Sequence, residues 1–195
     1  MQKINKKHPI ILASNSPQRK RLLEEFAISF TVIPANITEN INENWTPKQA
    51  VIELSRQKAE NVIQQHQILL QQRKFFAVLS ADTIVVLNNK ILGKPKNNNE
   101  AYEMIWNLSR SKHQVVTGVC IYSLANGYCC DCFVTDIEME PMSQQKIQDY
   151  INTNNVLERA GAIDIENIQN IRKIDGDLHN VIGLPVKQIL KKWFV

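Results

Sequence analysis

The chain has 195 residues, of which 44% are hydrophobic and 22% are charged, and its formal net charge is +4. Such a composition is ordinary for a globular protein, and the length fits one domain over residues 1–195 with a sizeable core. The mild positive charge fits an anionic ligand but is too weak to argue for a nucleic-acid partner. The sequence has neither a secretory signal nor a run of about 18 apolar residues, so we expect a cytoplasmic protein that does not enter a membrane.

An apolar strand is predicted at residues 9–13, followed by the polar turn Ser14–Pro17 and a helix. Ser16 is a good N-cap, and proline is favoured at the first helical position. Where a strand ends and a helix begins, free backbone N–H groups and the helix dipole attract phosphate. The dipole contributes only about 0.3–1 kcal/mol, so an ordinary capped helix stays an alternative.

The first predicted helix carries three basic residues on different faces. Arg19 precedes Leu22 and Leu23 by three and four positions, so its side chain should lie along the inward apolar stripe. Lys20 and Arg21 are expected to face solvent. Of the three, Arg19 is the one placed to reach a ligand.

A second strand is predicted at residues 29–34, and the polar loop 36–44 that follows it contains Glu39. A single glutamate in a loop is usually a solvated charge. Glu39 is of interest because a divalent cation would need a second carboxylate.

A long helix is predicted from a capping box at Thr46 to about Gln65. Its apolar stripe includes Leu54 and Val62, and Lys58 falls on the stripe between them. A lysine on a buried face either extends its ammonium group to solvent or meets an anion, and the first outcome is commoner. Taken alone, Lys58 is a weak candidate for ligand binding.

The central segment, Val78–Lys94, reads V-L-S-A-D-T-I-V-V-L-N-N-K-I-L-G-K. Its β-branched apolar run predicts a strand buried on both faces, with Asp82 inside it and a turn at Asn88-Asn89. A carboxylate in that position is costly unless it has a partner. The hairpin can bring Lys94 back toward Asp82, and an acid beside a lysine suits metal-assisted phosphate chemistry. A structural aspartate that orders a loop is the alternative.

The second half of the chain is predicted to begin with a helix capped by Asn98 or Asn99. Two strands, 115–125 and 128–139, flank Asn126-Gly127, which is a strong signal for a type I′ turn. His113, at the strand entry, is interpreted as a hydrogen-bonded structural residue rather than a general base. The other predicted segments are a helix at 143–152, irregular chain at 154–174, a loop at 176–185 and a closing helix at 186–193.

The four cysteines, Cys120, Cys129, Cys130 and Cys132, are expected to be reduced thiols in a cytoplasmic protein. Three of them lie in one predicted strand, where Cys129 faces the opposite side from Cys130 and Cys132. This arrangement does not gather four ligands around zinc, and the spacing matches no zinc pattern. We interpret the cysteines as small apolar residues that fill space.

A series of short motifs runs through the chain. It comprises S-N-S-P-Q-R at 14–19, E-L-S-R-Q-K-A at 53–59, S-A-D-T at 80–83, G-K-P at 93–95, L-S-R-S-K-H-Q-V-V-T-G-V at 108–119, A-G-A at 160–162 and N-V-I-G-L-P at 180–185. In this order they resemble the motifs of the Maf-like nucleoside triphosphate pyrophosphatases, nearest to the dTTP/UTP pyrophosphatase type. Each motif alone is weak, whereas the ordered set is specific and covers nearly the whole chain.

The resemblance implies an enzyme that hydrolyses a nucleoside triphosphate to the monophosphate and pyrophosphate with a divalent cation, Mg²⁺ or Mn²⁺. It also implies an α/β fold like that of the inosine triphosphate pyrophosphatases, with a curved mixed β-sheet flanked by helices and two lobes around a central cleft. Similar proteins are commonly dimers, so a homodimer is possible, and no nucleic-acid partner is implied.

The resemblance also implies roles for single residues. Asp82 corresponds to the proposed proton acceptor, and Glu39 could share a metal ion with it. Phosphate binding is implied for Ser14, Ser16, Arg19, Lys58 and Lys94. These roles agree with the residue patterns above, in which inward cations and one buried acid converge on a helix N-terminus.

At the three positions that the resemblance associates with base choice, the chain is a hybrid of two known types, with the residue at position 83 from the first, that at 166 from the second and that at 18 from neither. Members of the dTTP/UTP type carry Arg, Thr and Gln there, and members acting on 7-methyl-GTP carry an aromatic residue, Gln and Glu. This chain has Gln18, Thr83 and Glu166. A glutamate accepts hydrogen bonds but cannot donate them, so Glu166 should favour a base edge that presents N–H donors.

Three functions are therefore compatible with the sequence. The first is an active pyrophosphatase on dTTP/UTP or a modified nucleotide, with 7-methyl-GTP as another substrate to consider. The second is a catalytically weak nucleotide-binding regulator of cell division, motivated by Gln18 and by the altered segment 159–166. The third, a sequence-independent nucleic-acid binder, depends only on the mild positive charge.

Overall fold

The computed structural model describes residues 3–5, 7–72 and 74–195. Its strands are β1 (Ile10–Leu12), β2 (Phe30–Val32), β3 (Val78–Leu87), β4 (Lys90–Leu92), β5 (Lys112–Ser123), β6 (Gly127–Met139) and β7 (Ile171–Asp175). Its α-helices are α1 (Pro17–Glu25), α2 (Pro47–Gln71), α3 (Asn98–Leu108), α4 (Gln144–Thr153), α5 (Leu178–Ile182) and α6 (Val186–Trp193). Within the described residues, no helix is both long and apolar enough to cross a bilayer.

The strands form one mixed sheet in the order β2-β1-β3-β5-β6-β7, with β4 beside β3. The pairs β1–β2 and β1–β3 are parallel, and the remaining pairs are antiparallel. This confirms the predicted mixed α/β sheet. Parallel neighbours need a crossover connection, which α1 and α2 supply, whereas the antiparallel strands β5 and β6 are joined by a tight turn.

The side chains of β3 alternate between the two faces of the sheet. Val78, Ile84 and Val86 pack on the face covered by α2. On the other face, Leu79 belongs to a core formed with α1 and α6, and Val85 to a core formed with α3 and α4. These two cores belong to the two lobes of the protein. They contact β3 on either side of Thr83, and the cleft lies between them at this residue.

Helix α2 begins as predicted and approaches the sheet closely. Thr46 and Gln49 form the capping box. A Cβ atom on Gly118 of β5 would lie 2.1 Å from the Val51 carbonyl oxygen, so only glycine allows this approach. The predicted end near Gln65 coincides with a kink at His66, where the backbone is non-helical with φ −128° and ψ 21°. Beyond this kink, which the sequence did not reveal, helical chain continues to Gln71.

The two hairpin turns differ from each other. Asn88 and Asn89 both have positive φ, 50° and 61°, and connect β3 to β4 as predicted. The predicted type I′ turn at Asn126-Gly127 is wrong. Ser123 pairs with Gly127, and positive φ occurs at Gly127 but not at Asn126. The result is a three-residue loop followed by a left-handed glycine.

The sequence analysis missed two elements and placed one helix cap at the wrong residue. Strand β7 lies in the segment predicted as irregular, because its identity comes from pairing with β6 rather than from an apolar pattern of its own. Helix α5, predicted as loop, is a short helix capped by Asp177. Asn97, rather than Asn98 or Asn99, caps α3.

The expectation of four reduced thiols is also wrong, because Cys120 and Cys130 form a disulfide. The register of β5 and β6 places them directly opposite each other, with their Cα atoms 4.1 Å apart. The sequence does not specify this register, and alternation within β6 alone does not identify the residue across from Cys130. Cys129 and Cys132 are not in a disulfide.

Candidate active site

The edge of β3 is open in its middle. Strand β1 pairs with it up to Leu79, and β4 pairs with it from Val85 onward. Between these pairings, residues 80–84 have no strand beside them on that edge in the described part of the chain, and a cleft of about 770 Å³ opens there. Side chains from both faces of β3 can therefore line one cavity, and Asp82 and Thr83 both do.

Lys58 lies between two carboxylates at this opening. Its Nζ is 2.6 Å from Oδ1 of Asp82 and 2.9 Å from Oε1 of Glu39. Asp82 is only 6% exposed, so its carboxylate needs such a partner. Lys58 reaches it from the inward face of α2, where the helical spacing placed it, and the loop after β2 supplies Glu39.

Lys94 does not contact Asp82, so the expectation that the hairpin delivers the partner of this acid is wrong. Its Nζ lies 2.9 Å from Oε2 of Glu158, and both side chains are exposed. The backbone N–H of Gly161 donates to the carbonyl of Gly93, which holds the loop after β4 against the turn at 160–162. Lys94 still lines the cleft, on the opposite lobe from α1.

Arg19 is tied to three different segments of the chain. Its Nε donates to the Gly183 carbonyl at 2.9 Å, its Nη1 to Ser14 Oγ at 3.0 Å and its Nη2 to Thr83 Oγ1 at 3.1 Å. Burial lowers the pKa of Arg19, and the carboxylates of Asp82 and Glu39 oppose this shift. An arginine stays protonated through such a shift, so a fixed positive charge faces the cleft.

The turn before α1 is organised by its two serines. Ser16 caps the helix by accepting a hydrogen bond from the N–H of Arg19, as predicted. The N–H of Ser16 donates to Ser14 Oγ at 3.2 Å, and the Ser16 hydroxyl donates to Gln18 Oε1 at 3.2 Å. Gln18 is therefore drawn to the helix cap, while it also lines the cleft.

The segment 159–166 forms the opposite wall of the cleft. Arg159 and Asp164 form an ion pair at 2.8 Å, and the Asp164 N–H donates to the Tyr150 hydroxyl at 2.7 Å. Oε1 of Glu166 lies 2.5 Å from Nη2 of Arg21. The Glu166 carboxylate raises the pKa of Arg21. Sequence reasoning placed Arg21 in solvent, where it is, but missed this partner 145 residues away.

Asn180 is a further residue whose role the sequence did not reveal. It is fully buried, and its Nδ2 donates to the Val115 carbonyl at 3.1 Å and to Thr135 Oγ1 at 3.0 Å. Thr117 Oγ1 donates to the Asn180 carbonyl at 3.0 Å. These bonds hold α5 on the sheet and so present the Gly183 carbonyl to Arg19. The N-V-I-G-L-P motif was the signal that could have indicated it.

Residues 9–192 match the family model described as Maf-like protein. The chain belongs to this family. A dTTP/UTP pyrophosphatase of Clostridioides difficile (strain 630) is 38% identical over 191 residues, which is 95% of this chain and 95% of the relative. The dTTP/UTP pyrophosphatase of Thermosipho melanesiensis is 39% identical over 182 residues, which is 92% and 93% of the two chains. The solved Ham1 protein of Staphylococcus aureus aligns with a TM-score of 0.46 at 14% identity over 67% of this chain and 71% of its own.

In this Maf-like protein, the carboxylates of Glu39 and Asp82 fit a hard divalent cation. Both contact the same ammonium group, so their oxygens converge on one place. In the described part of the chain, no group of three His, Cys, Asp or Glu side chains could enclose a metal. Mg²⁺ is commonly held by one or two carboxylates together with substrate phosphates, and this pair suits that arrangement.

The Maf-like fold thus brings most of the predicted site residues to one cleft. Arg19 contacts Ser14 and Thr83 directly. In a second group of contacts, Lys58 binds Asp82 and Glu39. Lys94 and Glu166 line the same cavity but are held by exposed partners. His113 also lines the cavity and is 3% exposed. Burial lowers the pKa of His113, and its hydrogen bond with the Ser111 backbone opposes this shift.

Proposed function

We propose that this Maf-like protein hydrolyses a nucleoside triphosphate to the monophosphate and pyrophosphate, with dTTP, UTP or a modified nucleotide as substrate. The observation that carries the proposal is the contact of Lys58 with Asp82 and Glu39 beside the fixed charge of Arg19. A buried acid, a second carboxylate and two inward cations at a cleft are what hydrolysis of a polyphosphate requires. The similarity to dTTP/UTP pyrophosphatases supports the choice of pyrimidine substrates.

In the proposed reaction, Asp82 acts on the attacking water. Lys58 engages Oδ1 of Asp82, and Oδ2 has no hydrogen-bond partner among the described residues. Oδ2 accepts a proton while the water oxygen bonds to the α-phosphorus and the bond from this phosphorus to the α–β bridging oxygen breaks. General-base catalysis of this kind contributes about 10²- to 10⁴-fold to a rate.

The cations and the helix N-terminus hold the phosphates in this proposal. Arg19 and Lys58 lie inside the cleft, and Lys94 reaches it from the other lobe. The serines Ser14 and Ser16 position the N-terminal turn of α1, whose backbone N–H groups favour an anion. Charge that develops on the departing pyrophosphate is then met by groups that are already in place.

Glu39 and Asp82 would hold the divalent cation, Mg²⁺ or Mn²⁺. When bound, such an ion neutralises phosphate oxygens and polarises the phosphorus that is attacked. Gln18, Thr83 and Glu166 are the proposed specificity positions. A single domain over residues 1–195, a cytoplasmic location, a possible homodimer and the absence of a nucleic-acid partner stay predictions.

The test is pyrophosphate release from a panel of canonical and modified triphosphates with Mg²⁺ or Mn²⁺. We expect turnover of UTP or dTTP, and a loss of about 10²- to 10⁴-fold in kcat for Asp82→Asn. Asp175→Asn is the matched control, because Asp175 is exposed and, among the residues that the structure describes, its ion-pair partner is Lys173. If the wild type and Asp82→Asn are equally inert, the proposal is wrong. Stabilisation by triphosphates without hydrolysis would support a nucleotide-binding regulator instead.

A further inference from the structure

Arg19 belongs to a closed ring of hydrogen bonds beneath the cationic side of the cleft. Its Nη2 donates to Thr83 Oγ1 at 3.1 Å, and Thr83 Oγ1 lies 3.1 Å from Thr117 Oγ1. Thr117 Oγ1 donates to the Asn180 carbonyl at 3.0 Å. The N–H of Gly183 donates to the same carbonyl at 3.1 Å, and the Gly183 carbonyl accepts from Arg19 Nε at 2.9 Å. We call this closed set the Thr117 ring.

The direction of each bond in the Thr117 ring follows from the chemistry of its members. A guanidinium only donates and a carbonyl only accepts, whereas a hydroxyl does both. The hydroxyl hydrogen of Thr117 therefore points to the Asn180 carbonyl, and the Thr117 oxygen accepts from Thr83. The Thr83 hydrogen is thus directed into the sheet, which leaves its oxygen as an acceptor for Arg19. The Gly183 carbonyl is a weaker acceptor for the Thr83 hydroxyl, because the two oxygens are 3.5 Å apart.

The Thr117 ring determines how the guanidinium of Arg19 faces the cleft. Bonds to Gly183, Ser14 and Thr83 use one N–H each of Nε, Nη1 and Nη2. Within the part of the chain that the structure describes, the second N–H of each terminal nitrogen has no partner. These remaining donors can bind two oxygens of a phosphate, and such bidentate binding requires a defined guanidinium plane. Acceptors from three segments fix that plane before a ligand arrives.

Thr117 supports both ring acceptors of Arg19 without reaching the cleft itself. It is fully buried in β5, lies opposite Thr83 in the strand register, and does not line the cleft. One of its hydrogen bonds holds the Thr83 hydroxyl, and the other holds the Asn180 carbonyl, which also orders the N–H of Gly183. Without the Thr117 hydroxyl, the Thr83 hydrogen would turn to the Gly183 carbonyl and compete there with Arg19 Nε.

We propose that Thr117 is a positioning residue for phosphate binding, because its hydroxyl holds Thr83 and the end of α5 where they orient Arg19. This inference rests on the proposed function, since the phosphates that Arg19 would bind are those of the same substrate. It gives a role in the reaction to a buried residue of β5 that does not line the cleft. Thr117 acts through Arg19, so its effect should disappear when Arg19 is removed.

The first measurement uses the nucleotide-free protein and therefore depends on no ligand. In ¹⁵N-labelled protein, the Nε–H of Arg19 gives a nuclear magnetic resonance signal that Arg19→Lys removes. Its exchange with solvent reports how firmly the guanidinium is held. Thr117→Val should accelerate this exchange about 10-fold, whereas Thr117→Ser keeps a hydroxyl and should stay within about threefold of the wild type. Ser123→Ala is the matched control, because Ser123 is a buried hydroxyl of β5 that bonds to the N–H of Asn126.

The second measurement is calorimetric binding of uridine 5′-(α,β-imido)triphosphate with Mg²⁺, an analogue that is not cleaved. Thr117→Val should weaken binding about 10-fold, Thr117→Ser should restore it, and Ser123→Ala should leave it unchanged. In an Arg19→Met background, Thr117→Val should cause no further loss of affinity, which a general structural role of Thr117 would not produce. Chemical denaturation shows whether each variant is folded. If Thr117→Val is not, Thr83→Val breaks the same link and should accelerate the Arg19 exchange equally.

Unchanged exchange of the Arg19 Nε–H in Thr117→Val overturns the inference, as does a wild type that does not bind the analogue. A full loss of affinity in the Arg19→Met background, or no rescue by Thr117→Ser, overturns it as well. Hydrolysis separates these failures from that of the proposed function. A wild type that cleaves UTP, with unaltered binding in Thr117→Val, keeps the function and loses the inference. A wild type that shows the expected exchange and binding but cleaves no triphosphate does the reverse.

Discussion

The inside and the rim of the cleft carry the same kinds of side chain in different surroundings. Inside, Lys58 and Arg19 contact a buried acid, hydroxyl groups and a backbone carbonyl. At the rim, Arg21 and Lys94 pair with the exposed carboxylates of Glu166 and Glu158. We call these two ion pairs the rim pairs.

The difference shows that the burial of a charged side chain, rather than its residue type, decides how much the charge contributes to stability. An exposed ion pair is screened by water and adds about 0–1 kcal/mol to stability. A buried charge must be paired, and removing one partner leaves the other at a cost of several kcal/mol. The rim pairs can therefore exchange partners when a ligand arrives, whereas the inner cations are fixed before it binds.

The largest expected effect is a loss of folding stability, and it should separate two arginines of the same helix, α1. Arg19→Met should lower the free energy of unfolding by about 2–3 kcal/mol, because it leaves polar groups of three segments without their donor. Arg21→Met should change it by less than about 1 kcal/mol. Chemical denaturation of both variants measures the contrast. Equal losses would mean that the two sites do not differ as described.

A second prediction concerns the ammonium group between Glu39 and Asp82. Lys58→Met should raise the affinity of the nucleotide-free protein for Mn²⁺ at least about 10-fold, because two carboxylates then share a site without their cation. Electron paramagnetic resonance of bound and free Mn²⁺ reports the affinity. Lys94→Met is the control, since Lys94 pairs with Glu158 instead. Weaker binding by Lys58→Met would show that these carboxylates do not form the cation site.

A third prediction concerns pH and His113 in the cleft. Burial lowers the pKa of His113 from its ordinary value of 6.5. The unfolded chain therefore binds more protons than the folded protein below that pH, and stability falls as the pH drops from 7 toward 5. The slope from this one group is at most about 1.4 kcal/mol per pH unit.

Denaturation of the wild type and His113→Gln at several pH values tests this dependence. The variant should have the shallower slope between pH 7 and 5, because the lowered pKa of folded His113 leaves more protons bound to the unfolded chain in this range. His8→Gln is the control, because His8 is exposed. Identical slopes for the wild type and His113→Gln would exclude this contribution.

The smallest effect is expected at the second rim pair. Glu158→Gln removes the partner of Lys94 and should tighten binding of pyrophosphate about two- to threefold, which is the scale of an exposed ion pair. Calorimetric titration with pyrophosphate measures the change. Glu43→Gln, in the exposed loop before α2, serves for comparison. A tenfold change would mean that this rim pair is more than a weak competitor for the phosphate.

The local sequence was sufficient to predict the features that depend on residues close together in the chain. Ser16 and Thr46 were identified as caps because capping uses the next three residues of the same helix. The inward positions of Arg19 and Lys58 followed from helical periodicity, and the turn at Asn88-Asn89 from its two residues. The set of motifs also indicated the family and the mixed sheet.

Only the tertiary structure decided which distant groups meet. It made Lys58 rather than Lys94 the partner of Asp82, joined Arg21 to Glu166, and placed Cys120 opposite Cys130. Periodicity determines the face on which a side chain lies, but not the register of two strands or the partner that another segment supplies. Those depend on packing of the whole chain, such as the contact of Gly118 with the backbone of α2.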